Sequence, residues 1–171
     1  VGPLLGKRRH EPWDGGYVLI TAGTYGYRRL FDAAAKAGLR DVVVQTGRVD
    51  PSPYSSVGGW RVLRFEPDLE GLIAGARVVV THFGRTAVEA ACKYRKPTVL
   101  APNPEWVWMR SPVRMREAEM MARKLGAYFL PPEKVTPEGV LEAIEGALRG
   151  RPAECVDGSV RLAEIISSWG R

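Results

Sequence analysis

No run of this chain is apolar over the roughly 18 residues that a membrane-spanning helix requires. The opening residues also lack the basic, then apolar, then small-residue order of a secretory leader. A soluble domain working in the cytoplasm is therefore expected. Histidine and cysteine are nearly missing: His10, His82, Cys92 and Cys155 are all there are. None stands at metal-ligand spacing, which argues against a metal site. Cys92 lies in a predicted helix beside small apolar residues, a setting for a buried reduced thiol rather than a nucleophile. Gln45 and Asn103 are the only side-chain amides. Few thermolabile amides among many charges point to a thermophile, which bears on stability and leaves function open. Zinc-finger spacings, heptads and the aromatic RNA-binding signature are absent too, so no nucleic-acid partner is expected. The formal net charge of +6 then reads either as a solvated basic surface or as attraction to phosphate.

What is present suits one domain. A chain of 171 residues, 45% hydrophobic and 26% charged, supports one real core, and two independent domains would be cramped. Residues 1–16 hold two prolines, four glycines and the basic triplet Lys7-Arg8-Arg9 without periodicity. They read as an interdomain linker, as if the chain were cut from something longer. Strands are expected at Tyr17–Ala22, Asp41–Thr46, Trp60–Phe65, Arg77–Thr81, Pro97–Ala101 and Tyr128–Leu130. Helices are expected between them, at Arg28–Ala37, Asp68–Ala74, Thr86–Tyr94, Arg114–Leu125 and Pro137–Leu148. The domain proper would occupy residues 17–150, with one more helix in the tail, residues 151–171. Short β-rich runs separated by helices predict an α/β fold, a doubly wound parallel sheet covered on both faces. Such sheets bind ligands outside the carboxyl ends of their strands, so the chemistry is expected in the loops there.

The first of these loops is Thr21-Ala22-Gly23-Thr24-Tyr25-Gly26. Its glycines let backbone N–H groups approach a phosphate at a helix N-terminus, although glycine also serves merely to make such turns. It is neither a Walker loop nor a complete GxGxxG fingerprint. After the fourth strand comes Thr81-His82-Phe83-Gly84-Arg85, where Gly84 permits close backbone approach and Arg85 could pair with a diphosphate. His82 reads either as a catalytic group or as a loop histidine satisfied by backbone, and no partner carboxylate for the first stands nearby. Glu89 has two readings as well. Thr86-Ala87-Val88-Glu89 fits a capping box, and the same carboxylate could accept hydrogen bonds from vicinal ribose hydroxyls. The loop over Ala101–Arg116 carries three prolines, two tryptophans and three arginines. A loop of this length suits a lid, a partner-facing patch or a membrane-interface contact.

Taken in order, ITAGTYGYRRLFDA, VVVQTGR, VLRFEPDLEGLIAGARVVVTHFGRTAVEAACKYRKPTVLAPNP and ARKLGAYFL resemble the C-terminal domain of MurG-like UDP-N-acetylglucosamine transferases, the glycosyltransferase family 28 C-terminal type. They are similar also to the donor-binding subunit of the eukaryotic transferase that adds the second GlcNAc to dolichol diphosphate. The similarity runs from about Tyr17 to Leu148 and is most specific over Arg77–Pro102. It implies the C-terminal half of a GT-B fold, in which two Rossmann-like domains face each other across a cleft. Carried over by position, Gly23, Thr24, Tyr25 and Gly26 would line the diphosphate loop, and Phe65 and Glu66 would meet the base through their backbone. His82, Phe83, Gly84, Arg85 and Thr86 would form the second phosphate loop, with Glu89 on the ribose. Asn103 and Arg114 complete the implied UDP-sugar contacts. The sequence departs from the family where a His-Gln or Gln-Gln pair usually meets the sugar, for Arg114-Met115-Arg116-Glu117 stands there. Arg85 also replaces a small residue. Both departures leave an acidic donor sugar open beside GlcNAc.

The implied activity is inverting transfer from a UDP-sugar donor, UDP-GlcNAc in the family, to a lipid-linked acceptor in polysaccharide or glycoprotein synthesis. No metal and no cofactor are implied, and no catalytic residue is expected in this chain. The base would sit on an N-terminal acceptor domain or a membrane-associated partner subunit, with the protein peripheral at the inner face of a membrane. Two alternatives stand beside this. One is a UDP-GlcNAc 2-epimerase-like domain, whose catalytic carboxylates are not recognisable here. The other is a non-catalytic nucleotide-sugar-binding module.

Overall fold

The computed structural model describes residues 2–169. Among them, six strands form one parallel sheet: β1 (Tyr17–Thr21), β2 (Val42–Gln45), β3 (Trp60–Leu63), β4 (Ala76–Thr81), β5 (Thr98–Leu100) and β6 (Tyr128–Phe129). Their spatial order is β3-β2-β1-β4-β5-β6, the doubly wound order with its reversal between β1 and β4. The helices are α1 (Arg28–Lys36), α2 (Ser52–Ser55), α3 (Leu69–Gly75), α4 (Arg85–Val88), α5 (Pro112–Leu125), α6 (Pro137–Arg149) and α7 (Ser159–Ser168). The expected α/β architecture is therefore the observed one.

The valine-rich runs become strands because both their faces are covered. Ile20, Val42, Val44, Val78, Val80 and Val99 point to one side, where Leu30 and Phe31 of α1 and Val140 and Ile144 of α6 meet them. Leu19, Val43 and Val79 point to the other, against Ile73 and Ala74 of α3 and Ala90. Leu100 joins that second side under Ala118 and Ala122 of α5. The period of two along each strand is what sorts neighbours into opposite layers. Local chemistry sets the helix ends. Asp68 accepts from Gly71 N at 3.2 Å and Thr136 from Gly139 N at 3.1 Å, each at a helix start. Pro112 stands in the first turn of α5, and Gly126, at φ 64°, ends it in the left-handed conformation.

Three details differ from expectation. The helix expected over Thr86–Tyr94 begins at Arg85 and widens after Val88 into a π-helical turn, Glu89–Lys93. Tyr94 N reaches back to Glu89 O at 2.9 Å. Such turns have no hydrophobic signature of their own and concentrate at functional sites. The second correction concerns Cys92, expected as a reduced thiol. It is bonded to Cys155, with Cα atoms 5.2 Å apart across 63 residues of sequence. Cys92 does lie in a buried helical segment, and what the spacing could not reveal is that the tail folds back to meet it. Third, short helical turns, α2 and Val107–Arg110, interrupt stretches expected to be irregular.

Residues 2–16 contain no helix or strand, yet they are tied to the domain. Trp13 N donates to Ala74 O at 2.9 Å and Gly15 N to Gly75 O at 2.8 Å. Leu5 is buried, its N–H held by Asp157 at 3.1 Å. Among the described residues no helix is long and apolar enough to cross a membrane.

Candidate functional site

Thr21 and Thr81 are register partners at the carboxyl ends of β1 and β4. The loops that leave them start side by side, at the point where strand order reverses and where open α/β sheets take their ligands.

The first loop follows a path that only glycine accepts easily, with Gly23 at φ 66° and Gly26 at φ 73°. A side chain on Gly26 would strike the Thr46 carbonyl. Asn103 braces this loop from behind: its Nδ2 donates to Gly26 O at 2.8 Å, and its Oδ1 accepts from Glu105 N at 2.9 Å. With 1% of its surface exposed and both ends of its amide engaged, Asn103 shapes the loop and does not face the rim.

His82 is where the two loops meet. A Cβ on Gly23 would lie 3.0 Å from its Cε1, and a Cβ on Gly84 would lie 3.1 Å from its Nε2. The Cε1–Nε2 edge of the imidazole thus packs against both glycines. Trp106 packs on the half-buried ring, edge-on at 4.8 Å, and itself meets Tyr25 and Trp108 at 5.5 Å each. Trp108 continues to Phe83 at 6.5 Å. Burial pushes His82 down to about 4, so the ring is neutral at ordinary pH. Its Nδ1 is buried without a partner, and so are Trp106 Nε1, Thr81 Oγ1 and the Tyr27 hydroxyl. These unsatisfied atoms belong to β4's last residue and to the loops around it, and a functional site is one setting in which such groups persist.

Gly84 precedes α4 with no side-chain cap, so the capping box is not formed. The Glu89 carboxylate instead accepts from Arg85 Nε at 2.8 Å. Glu89 is largely covered while Arg85 reaches into solvent, at 14% and 80% side-chain exposure. Thr86, half-buried, lies between them.

A cavity of about 470 Å³ opens on the other side of the first loop, a volume suited to a small ligand. Gly23, Thr24, Phe65 and Glu66 line it, together with Gln45, Arg48 and Arg64. Gln45 is buried and spans the sheet edge. Its Nε2 donates to Thr21 Oγ1 at 3.2 Å, and its Oε1 accepts from Glu66 N at 2.9 Å. It therefore sets the height of the Phe65-Glu66 turn. Arg48 N donates to Thr24 O at 2.8 Å, and the guanidinium lies 4.8 Å from the Tyr25 ring centre. Arg114 stands apart: Glu117 holds it at 2.7 Å, and it reaches the site only through Trp108, 5.9 Å from that ring. A larger groove of about 620 Å³ runs between Phe83, Val88, Met120 and Met121 and ends on the disulfide. Its walls are mostly apolar, and of the two glycine loops it touches only Phe83.

Sequence reasoning missed Gln45, Arg48, Arg64 and the contact between Trp106 and His82. Gln45 carried a usable signal, as a lone amide ending an otherwise valine strand. The arginines carried none, because a loop arginine is ordinarily solvated.

A parallel sheet of this order with paired glycine loops at its reversal belongs to the Rossmann-like class. Residues 17–155 match the glycosyltransferase family 28 C-terminal domain, and the chain belongs to that family. It is 29% identical over 170 residues to an uncharacterized glycosyltransferase of Methanopyrus kandleri, covering 86% of this chain and 46% of that protein. The chain thus spans about half the length of that curated relative. Among solved structures it is similar to Acinetobacter baumannii MurG, with a TM-score of 0.58 and 18% identity over 82% of this chain and 46% of that one. The glycosyltransferase of kitacinnamycin superposes with a TM-score of 0.63 at 24% identity, over 87% and 40% of the two chains. CalG4, the calicheamicin glycosyltransferase, gives a TM-score of 0.58 at 21% identity, over 86% and 37%.

Proposed function

We propose that this chain is the donor-binding half of a glycosyltransferase that takes a UDP-sugar, with UDP-GlcNAc as the donor, for transfer to a lipid-linked acceptor. The observation that carries the reading is the meeting of Gly23 and Gly84 on one edge of His82. Two backbone loops and an imidazole come together there at the strand-order reversal, where a diphosphate would lie along the exposed backbone of the loops. Backbone N–H groups, the helix N-termini behind them and the exposed Arg85 would stabilise the charge that develops on the departing UDP. Uracil would enter the cavity between Thr24 and Phe65, and Glu89 would accept the ribose hydroxyls. The acceptor and the base that activates it would come from an N-terminal acceptor domain or a membrane-associated partner subunit.

Calorimetric titration with UDP tests this. Wild-type chain is expected to bind UDP, and Glu89→Ala to bind it at least about tenfold more weakly, as befits loss of a charge-assisted hydrogen bond. Absence of both heat and thermal shift at saturating UDP would rule the donor site out.

A further inference from the structure

The roof over His82 is not made by either glycine loop. It is Trp106, held by its own backbone N–H on Asn103 O at 3.3 Å and by Met109 N on its carbonyl at 2.9 Å. Asn103 in turn grips Gly26, so the roof and the first loop are built on one side chain. Beneath it, His82 Nδ1 has no partner, while Nε2 lies against Gly84 and Gly23, where the two loops meet. A neutral imidazole carries one N–H and one lone pair. A proton on Nδ1 would bury an unbonded donor and turn the Nε2 lone pair toward any anion held by the two loops. A proton on Nε2 instead gives that anion a donor.

We propose that Trp106 is a positioning residue for His82: it roofs the imidazole against water and keeps it neutral with its proton on Nε2, so that an uncharged N–H faces the donor diphosphate. The diphosphate rests on the function proposed above, whereas the state of the ring does not. Charged groups on the elements packed around His82 each have a partner of their own or lie in solvent. On α4, Arg85 and Glu89 pair with each other. On the tryptophan loop, Arg110 Nε bonds Pro104 O at 2.9 Å, and Glu105 lies at the surface. Arg48 stacks on Tyr25 of the first loop. Burial is the one cause that lowers the ring's proton affinity, and Trp106, in contact with the ring at 4.8 Å, is part of that cover. The consequence is a diphosphate grip whose strength does not depend on pH across the neutral and mildly acid range.

The test is an NMR titration of the imidazoles. His10 and His82 are the only two, so His10→Asn assigns them. In wild type, His82 should titrate near 4 and show the ¹⁵N pattern of the Nε2–H form. Trp106→Ala should raise it by at least about one unit toward the unburied imidazole value. Trp106→Phe, which keeps a ring over the histidine, should restore the low value. Affinity for UDP-GlcNAc, whose diphosphate diester holds its charge throughout, is then compared at pH 7.5 and 5.5. Wild type and Trp106→Phe should change by less than about twofold, and Trp106→Ala should tighten about fivefold or more on acidification as a charged imidazolium appears. A wild-type His82 titrating near the ordinary imidazole value overturns the inference with no variant needed. So does a Trp106→Ala protein whose His82 titration or affinity profile matches wild type. If Trp106→Ala does not fold, Trp106→Leu replaces it, with an intermediate rise expected and an unchanged titration counting against the inference. Failure of every protein to bind UDP-GlcNAc would instead sink the proposed function and leave the titration result standing.

Discussion

Arg85 Nε donates to Glu89 Oε1 at 2.8 Å, tying the first residue of α4 to the residue at which the helix widens. The bond leaves the arginine's outer nitrogens and one carboxylate oxygen for other partners. Exposed ion pairs of this spacing add only a few tenths of a kcal/mol to stability. Arg85→Ala should therefore leave the unfolding midpoint within about 2 °C of wild type. It should nonetheless weaken UDP binding about three- to tenfold, through lost charge and a less well oriented Glu89. Equal affinity in calorimetry would deny Arg85 a place at the diphosphate.

Two glycines should separate folding from binding. At Gly47, φ is 61° and a Cβ would collide with the Gly23 and Thr24 carbonyls. Gly47→Ala should lower stability by roughly 2–4 kcal/mol, read from urea unfolding. At Gly23, φ is 66° and the neighbour is the His82 ring edge at 3.0 Å. Gly23→Ala should lower stability by only about 1–2 kcal/mol, because a ring can shift where a carbonyl cannot. UDP affinity should still fall at least about tenfold, since that shift moves the donor at the gap.

Acid should weaken the fold through His82. Its folded value of about 4 lies below the ordinary 6.5, so between these values the unfolded chain binds more protons. This contribution to stability is complete above pH 6.5 and is lost as the pH falls from there toward 4. Its size is on the order of 3 kcal/mol at 1.36 kcal/mol per unit. His82→Gln should flatten the stability curve over that window. An unchanged slope in the variant would mean that the histidine is not buried in solution.

Reduction of the Cys92–Cys155 bond should cost about 2–4 kcal/mol, the range typical of disulfides. Urea midpoints with and without a phosphine reductant, with a Cys92→Ser/Cys155→Ser variant as control, measure it directly. The variant should be insensitive to reductant.

The sheet, its helices and the two glycine loops were legible in the sequence because each rests on local pattern. Val42-Val43-Val44 can only be satisfied by cover on both faces, and Gly23 and Gly26 mark a path that other residues avoid. What escaped notice depends on partners far apart in the chain. Nothing near Cys92 announces Cys155, and nothing near His82 announces Trp106. Asn103 was legible as a rare amide, but its role was not, because bracing a loop and touching a ligand draw on the same donor and acceptor. The Glu89 ambiguity was genuine, since a capping box and a surface carboxylate share one spacing. Placement of the helix start at Arg85 decided against the cap.

The wide turn at Glu89–Lys93 has a mechanical meaning. It inserts a surplus residue between a carboxylate at its front and a cross-linked sulfur near its back, and that surplus fixes the angle between them. Deleting Ala90 or Ala91 would let the coil tighten to ordinary pitch and swing its two ends apart by about 100°. Either the acid would leave the rim or the sulfur would lose its mate. The segment is phased like a key cut on two sides, so that its length is as much a part of the site as its residues.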